Sequence, residues 1–278
     1  MARIARHRNT VILNLFRMTV LTVDILKGES MPTNRQNLYD NDEFFDGYSL
    51  ARENSLTMNY TVEQPGIRAL LPEIKGARTL DLGCGSGGFA HWLVDEGAES
   101  VLGIDPSANM LAAARENPRP EIEFRQAFVE ELELYESQFD LVVSSLMFHY
   151  IEDLTPVFEK IHSWLREGGS LVFSIEHPIA AAIQGKRTGW LKDDQGERIG
   201  WEVTDYSSEG ERVSRWIVDD VVKYHRTIAT MMNILADSGF RIDQGSEAHA
   251  SPDNEALDPG LLEERMRPPF LFVRAIAE

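Results

Sequence analysis

Two aspartates set around a run of glycines are the residues best placed to do chemistry. Asp81-Leu-Gly-Cys-Gly-Ser-Gly-Gly88 follows a β-rich run and opens a helical one. Gly83 and Gly85 lack a Cβ, so the turn can be tight, can take positive φ and can let a ligand approach the backbone. The helix that begins near Gly88 points its free N–H groups at whatever binds there. A dinucleotide site would hold a pyrophosphate at this point behind the spacing G-x-G-x-x-G. Here the glycines are Gly83, Gly85, Gly87 and Gly88. Asp81, just before the first of them, repels a pyrophosphate but suits a ligand with an ammonium group. Asp105 ends the next β-rich run, 20 residues beyond Gly85. An acid there accepts hydrogen bonds from the two hydroxyls of a ribose. The plainer alternative is that both acids cap the turns that follow them. Read jointly, they describe a nucleoside with a cationic amino-acid arm, and S-adenosylmethionine (SAM) is such a ligand.

A second group of polar and aromatic residues could meet a substrate. His149 and Tyr150 follow the fourth β-rich run, and Glu176 and His177 follow the fifth. Carboxyl ends of parallel strands are where open α/β sheets bind ligands. His149 and His177 are therefore the candidate general bases, with a structural role open to His177 because Pro178 follows it. Tyr150, Tyr206, Trp216 and His225 are the candidate substrate contacts, although Tyr206 and Trp216 suit a local core equally well. Lys223-Tyr-His-Arg226 either holds an acidic substrate or marks a hinge. Cys84, the sole cysteine, reads as a small residue in a tight turn, since no activating cation lies near it in sequence. No Cys or His pair has zinc spacing, so no metal is expected.

These residues need a parallel sheet to bring them together. Arg78–Leu82, Val101–Asp105, Ile122–Ala127, Phe139–Leu146 and Ser170–Ile175 read as strands. Helical spacing lies between them: Phe89–Glu96 stops at Gly97, Ala108–Glu116 starts from a Ser107 cap, and Pro156–Arg166 closes at Gly168-Gly169. The apolar run Phe139-Asp-Leu-Val-Val suits a central parallel strand. A helix over Arg226–Ser238 and strands over Phe240–Ser246 and Phe270–Ala277 complete the pattern. The segment between those two strands reads as a loop with a short helix at best. Asp42–Ala51 and Leu56–Leu71 read as helices over the edge of the sheet. The predicted fold is α/β: a doubly wound, Rossmann-like seven-stranded sheet with helices on both faces and an antiparallel last strand. Residues 178–225, with three tryptophans among charges and glycines, are too long for a plain loop. They read as an inserted cap with its own strands, closing over a small, partly aromatic substrate.

At this point the sequence resembles the class I SAM-dependent methyltransferases. Asp81-Leu-Gly-Cys-Gly-Ser-Gly-Gly-Phe-Ala90 is similar to their first motif and Gly103-Ile-Asp105 to their second. Phe139-Asp-Leu-Val-Val-Ser-Ser-Leu-Met-Phe-His149 is similar to their fourth strand, and Leu165-Arg-Glu-Gly-Gly-Ser-Leu171 to the corner before their fifth. The resemblance covers residues 40–278 and is nearest to small-molecule enzymes of the ubiquinone and menaquinone pathways. It implies SAM as cofactor and methyl transfer to an O or N atom of a small molecule. It also implies a cofactor shell of Asp81, Gly83, Gly85, Asp105, Pro106, Ser145 and Leu146. Arg52 is placed like an arginine that meets SAM in ubiquinone O-methyltransferases. The family often has an acid followed by alanine after the third strand; Phe128-Val129 stands there instead, which leaves adenine to backbone groups and apolar packing. Two other readings stay open: a SAM-binding or partner-binding protein without chemistry, and an NAD-dependent oxidoreductase on a related sheet, which Asp81 and the glycine spacing disfavour.

Composition sets the outer bounds. With 278 residues, 43% hydrophobic and 26% charged, the chain suits one large domain. A net charge of −18 repels phosphate backbones and argues against a nucleic-acid partner. No apolar run is long enough to span a bilayer. One cysteine allows no intrachain disulfide, which fits a reducing, cytoplasmic setting; a homodimer is left open. The first thirty residues carry five basic residues against two acidic, a charge of +3 that leaves −21 for the rest. Residues 1–31 read as a poorly ordered extension ahead of a single domain over 32–278, with N-terminal helices in 32–75. An organelle transit peptide is the alternative, and it lacks the expected serines.

Overall fold

The computed structural model describes residues 36–41, 47, 57–185 and 189–278. The extension over 1–31, Arg52 and nearly all of the helix expected over Asp42–Ala51 lie outside the described residues. Contacts divide the chain at Gln36, and the fold below is that of Asn37–Glu278.

Seven strands form one sheet: β1 (Arg78–Leu82), β2 (Ser100–Asp105), β3 (Ile122–Gln126), β4 (Phe139–Ser145), β5 (Leu165–Glu176), β10 (Phe240–Ser246) and β11 (Phe270–Ala277). Their order is β10-β11-β5-β4-β1-β2-β3. The five strands from β1 to β5 run parallel to one another. β11 is antiparallel to both β5 and β10. This is the expected Rossmann-like arrangement, with the antiparallel strand inserted one place in from the edge.

Side-chain alternation splits the sheet into two faces. Leu80, Leu82, Val142, Leu171 and Phe173 pack against α4 (Thr155–Trp164) and α6 (Ile228–Asp237). Leu141, Val143, Val101 and Val172 pack against α1 (Gln64–Ala69) and α2 (Gly88–Asp95). The second face carries a polar row at its carboxyl edge. In-register pairing puts Asp81 with Val143 and Ser145 beside Ser174 on that same side, and alternation along β2 puts Asp105 there with Val101. α3 (Ala108–Ala114) starts from Ser107, whose Oγ accepts from Met110 N at 3.1 Å.

Three local readings differ from the sequence expectation. The helix of Pro156 ends at Trp164 rather than Arg166. Buried Leu165 pairs in register with Phe139, and Arg166 pairs with Asp140, so the sheet captures the chain before the two glycines. The helix over Leu56–Leu71 contains a π-helical turn, Asn59–Glu63, ahead of α1. Pro65 supplies no amide to that turn. The segment before β11 holds more helix than expected: α7 (Pro252–Leu257), capped by Ser251, and a 3₁₀ run over Pro259–Met266.

Residues 178–225 contain the short α5 (Pro178–Ala181) and two antiparallel hairpins, β6–β7 (Trp190–Lys192, Arg198–Trp201) and β8–β9 (Gly210–Trp216, Val218–His225). Arg267 fastens the first hairpin to the 3₁₀ run. Its guanidinium lies 4.3 Å from the Trp201 ring and 5.3 Å from that of Trp190, and it pairs with Glu264 at 3.1 Å. Arg198 adds an ion pair to Glu263 at 2.7 Å. Cation–π contacts that lose solvent in this way contribute about 1–2 kcal/mol each. Arg267→Ala is therefore expected to unfold the hairpin locally, read as faster amide exchange over 189–201 with the sheet core unchanged. No helix among the described residues is long and apolar enough to cross a membrane.

Candidate active site

The glycine turn is built onto β2. Gly83 N and Cys84 N both donate to Ile104 O, at 2.8 and 3.0 Å. Gly83 and Gly85 have φ of +73° and +53°, conformations that L side chains rarely take. A Cβ on Gly85 would find nothing nearer than Met110 Sδ at 3.9 Å, so this side of the turn is open.

Asp81 and Asp105 face the same way and are both buried, yet their surroundings differ. Asp105 is held by two backbone amides, Gly85 N to Oδ2 and Ser107 N to Oδ1, each at 2.9 Å. Burial pushes its carboxyl up to about 6 in spite of them, with Asp40 adding to the rise. Each oxygen keeps a lone pair for a further donor. Asp81 has no such amides. Its Oδ2 is buried without a hydrogen-bond partner among the described residues. Burial, then Asp105, then Glu63 raise its carboxyl to about 8. A buried acid with no donor and two acidic neighbours is a place for a cation.

The turn after β3 lies beside Asp105, because Ala127 N donates to Asp105 O at 3.2 Å. Val129 is buried there and Phe128 half-buried. Gln126 Nε2 donates to Pro106 O at 2.9 Å, closing the same rim. At the tip of β4, Ser145 Oγ donates to Glu63 Oε1 at 2.8 Å. Leu146 follows at φ +54°, a strained value for a leucine, with its N–H bonded to Ser174 O at 3.1 Å. The chain beyond Leu146 continues into the 3₁₀ turn Phe148–Tyr150.

His149 lies within that turn. Phe148 anchors it from below, edge-on to Phe158 and Phe173 at 5.1 and 5.2 Å. The imidazole is buried, and burial lowers its pKa to about 4, against the pull of Glu176. Nδ1 accepts from Glu176 N across a long 3.5 Å contact. Nε2 has no protein hydrogen bond among the described residues. The Tyr150 ring lies 4.4 Å from the imidazole, and Lys223 Nζ is 5.8 Å from the Tyr150 ring. Lys223 is ion-paired to Glu176, which links β9 to the tip of β5.

The other predicted residues make contacts of their own. His177 is fully buried; its Nδ1 accepts from Ile179 N at 3.1 Å to cap α5, and its Nε2 meets Glu247 Oε1 at 2.9 Å. Both ring nitrogens are thus engaged by protein, an arrangement that fixes the strand end. His177→Ala is expected to cost about 1–3 kcal/mol in denaturant unfolding, from a lost cap and a lost bond to a carboxylate, and to leave SAM affinity unchanged. Tyr206 and His225 pair with each other. His225 Nε2 lies 2.8 Å from Tyr206 O, and Tyr206 Oη accepts from Ile228 N at 3.1 Å at the start of α6. Trp216 ends β8. Arg226, at the end of the basic cluster, gives its guanidinium to the carbonyls of Ile151 and Glu152 at 2.6 and 2.5 Å, which ties the chain after β9 to the segment beyond His149. Glu63 and Ser174 belong to the site by position and carry no sequence motif. Among the described residues no cluster of His, Cys, Asp or Glu could hold a metal.

SAM fits the residues present: the orphaned Asp81 oxygen answers its ammonium, Asp105 has acceptor capacity for ribose hydroxyls, and the open side of Gly85 leaves room between them.

The comparisons with known proteins agree with this geometry. Residues 80–173 match the model of the methyltransferase domain family. A crystal structure of an S-adenosylmethionine-dependent methyltransferase from Mesorhizobium loti is 41% identical. It covers 79% of this chain and 98% of its own, with a TM-score of 0.72. An uncharacterized protein of Haemophilus influenzae is 36% identical over 87% of this chain and 97% of its own length. A malonyl-[acyl-carrier protein] O-methyltransferase from Enterobacter lignolyticus is 39% identical over 46% of this chain and half of that protein.

Proposed function

This chain belongs to the class I S-adenosylmethionine-dependent methyltransferases, and from that premise we propose that it methylates an O or N atom of a small-molecule acceptor by in-line displacement. The acceptor lies at the carboxyl ends of β4 and β5. When bound, SAM supplies a methyl group on a good, neutral leaving group. The residues have to align the acceptor behind that methyl and exclude water, and alignment of this kind can contribute about 7–11 kcal/mol.

In this reading Asp81 takes the ammonium and Asp105 the ribose hydroxyls. Pro106, Phe128 and Val129 flank the adenine, and Gly83 and Gly85 let the ligand lie against the backbone. Ser145 and Leu146 form the floor below the reacting groups, and Arg52 is assigned to the cofactor on the sequence resemblance alone. The hairpins of 178–225 close over the acceptor, latched by the Lys223–Glu176 pair. Tyr150 lines the acceptor side. Tyr206 and His225 brace the base of the second hairpin, where Trp216 ends its first strand. His177 is a positioning residue that holds the end of β5 in place.

The observation that carries the proposal is the unengaged Nε2 of a neutral His149, four residues beyond the tip of β4. With Nδ1 turned to Glu176 N–H, Nε2 carries the hydrogen and orients an acceptor oxygen or nitrogen. If the 3.5 Å contact opens, the same atom takes the acceptor's proton instead. Either role needs the neutral ring, which burial secures above about pH 4.

Labelled methyl transfer from SAM to a panel of small hydroxy, carboxy and amino compounds tests the reading. His149→Ala is expected to keep SAM affinity within about twofold and to lower kcat roughly 10²-fold or more. Wild-type kcat on the preferred acceptor should show no inflection near pH 6.5. An unchanged kcat in His149→Ala removes His149 from the reaction.

A further inference from the structure

The π-helical turn Asn59–Glu63 presses a wholly buried carboxylate onto the polar row of the sheet. Glu63 Oε1 accepts from Ser145 Oγ at 2.8 Å and Ser174 Oγ at 2.6 Å. Oε2 accepts from Asn59 Nδ2 at 3.1 Å and Gln64 Nε2 at 2.9 Å. Four donors converge on one buried acid from both sides, the surroundings a carboxylate anion requires. Ser145 ends β4 and Ser174 lies next to it in β5, so this single side chain ties two strand tips to the segment above them. π-Helical turns are uncommon and frequently sit at functional sites.

Glu63 also acts on Asp81, which has the opposite environment: no donor on Oδ2 and acidic neighbours. Among the described residues, the charged groups acting on Asp81 are Asp105 of β2 and Glu63 itself. One step further out are the Cys84 thiol, pushed up by burial and then by the same aspartates, with Arg115 beyond it, and Asp40 against Asp105. Arg68, on the other side of Glu63, bonds Gln64 Oε1 at 3.1 Å and lies 4.3 Å from the Trp92 ring.

We propose that Glu63 is a positioning residue of the methyl-transfer site, which binds the tips of β4 and β5 together and makes cofactor capture exchange the proton of Asp81 for the cofactor's ammonium group. The exchange balances simply. The Asp81 carboxyl loses its proton to the buffer, and its carboxylate then accepts from the ammonium. This inference rests on SAM as cofactor and is independent of the acceptor.

Calorimetric titration of the full chain with SAM in phosphate and in Tris, whose ionisation heats differ, counts the protons released. Wild type is expected to release most of a proton at pH 7, with affinity rising with pH toward about pH 8 and falling again above it, where the cofactor's own α-ammonium deprotonates. Glu63→Gln should release fewer protons than wild type at pH 7, because one neighbouring charge is gone. Asp81→Asn should release none. Ser174→Ala keeps the charge and breaks one tie, so it should retain the wild-type proton count while kcat falls several-fold; it also serves if Glu63→Gln does not fold. An identical proton count and pH midpoint in wild type and Glu63→Gln overturns the proposal, as does a loss of release in Ser174→Ala. SAM binding without proton release overturns it while leaving the cofactor in place. No heat with SAM under any condition overturns the cofactor instead.

Discussion

Replacing Asp81 with asparagine is expected to weaken SAM binding sharply and, in the same protein, to raise the stability of the cofactor-free fold. The two effects share one cause. Asp81 is 1% exposed and its carboxyl is raised from 3.8 to about 8, so the fold favours the protonated form. A group raised in this way gives its full stabilisation below the unfolded value near 4, and that stabilisation is lost as pH climbs toward 8. At pH 7 the loss is on the order of 4 kcal/mol as an upper bound, taking 1.36 kcal/mol per pH unit. Asparagine is neutral at every pH and escapes it. Denaturant unfolding of the variant should exceed wild type by roughly 2–4 kcal/mol at pH 7–8 and converge with it near pH 4. For binding the sign reverses. Removing one partner of a buried ion pair costs about 3–5 kcal/mol, so SAM affinity should fall about 10²–10³-fold or more. A variant that is less stable than wild type at pH 8, or that binds SAM within threefold of it, removes Asp81 from the ammonium site.

Part of this site was legible in the sequence because strand alternation is legible. Asp81 and Asp105 each end a β-rich run, and one register of β1 against β2 places both on the same side. The glycine turn between them needs no tertiary information. Glu63 shows where that kind of reading stops. It is one of 45 acidic residues in the chain, and its partners Ser145 and Ser174 lie 82 and 111 residues away. Only the packing of α1 and its preceding turn on the sheet brings them together. His177 shows the same limit from the other direction. Its place at a strand end suggests a base, and a glutamate 70 residues on takes its Nε2. The α4–β5 corner was misread because two glycines mark a helix stop on local grounds, whereas the burial of Leu165 against Phe139 is a long-range effect that acts earlier in the chain. The 178–225 segment was readable as strands from its composition, but the fastening of Trp190 and Trp201 by Arg267 depends on a residue more than sixty positions downstream.

The glycine turn offers a second large effect, and it separates the turn's structural role from its ligand role within three residues. Alanine at either Gly83 or Gly85 incurs about 1–2 kcal/mol for positive φ. Beyond that the two sites diverge. A Cβ on Gly83 would meet Met147 Cβ and Cγ at 2.8 Å. Met147 cannot retreat easily, because it stands between strained Leu146 and fully buried Phe148. Gly83→Ala is therefore expected to lose about 2–4 kcal/mol of stability, overpacking being added to strain. On Gly85 the Cβ enters open space, with its nearest neighbour at 3.9 Å. Gly85→Ala should lose no more than the strain, about 1–2 kcal/mol. That open space is the path by which a ligand reaches the backbone, and Gly85 N also holds Asp105 Oδ2 at 2.9 Å. SAM affinity should consequently fall about 10–100-fold in Gly85→Ala, since on the proposed assignment a methyl group occupies ligand volume and disturbs the acid assigned to the ribose. Unfolding in denaturant and calorimetry with SAM on the two variants give four numbers. The larger stability loss belongs with Gly83, and Gly85→Ala should lose far more affinity than its small stability loss implies. If Gly85→Ala binds SAM as wild type does, the open side of the turn is not where the cofactor lies, and the pairing of Asp81 and Asp105 across it has to be assigned to a different ligand.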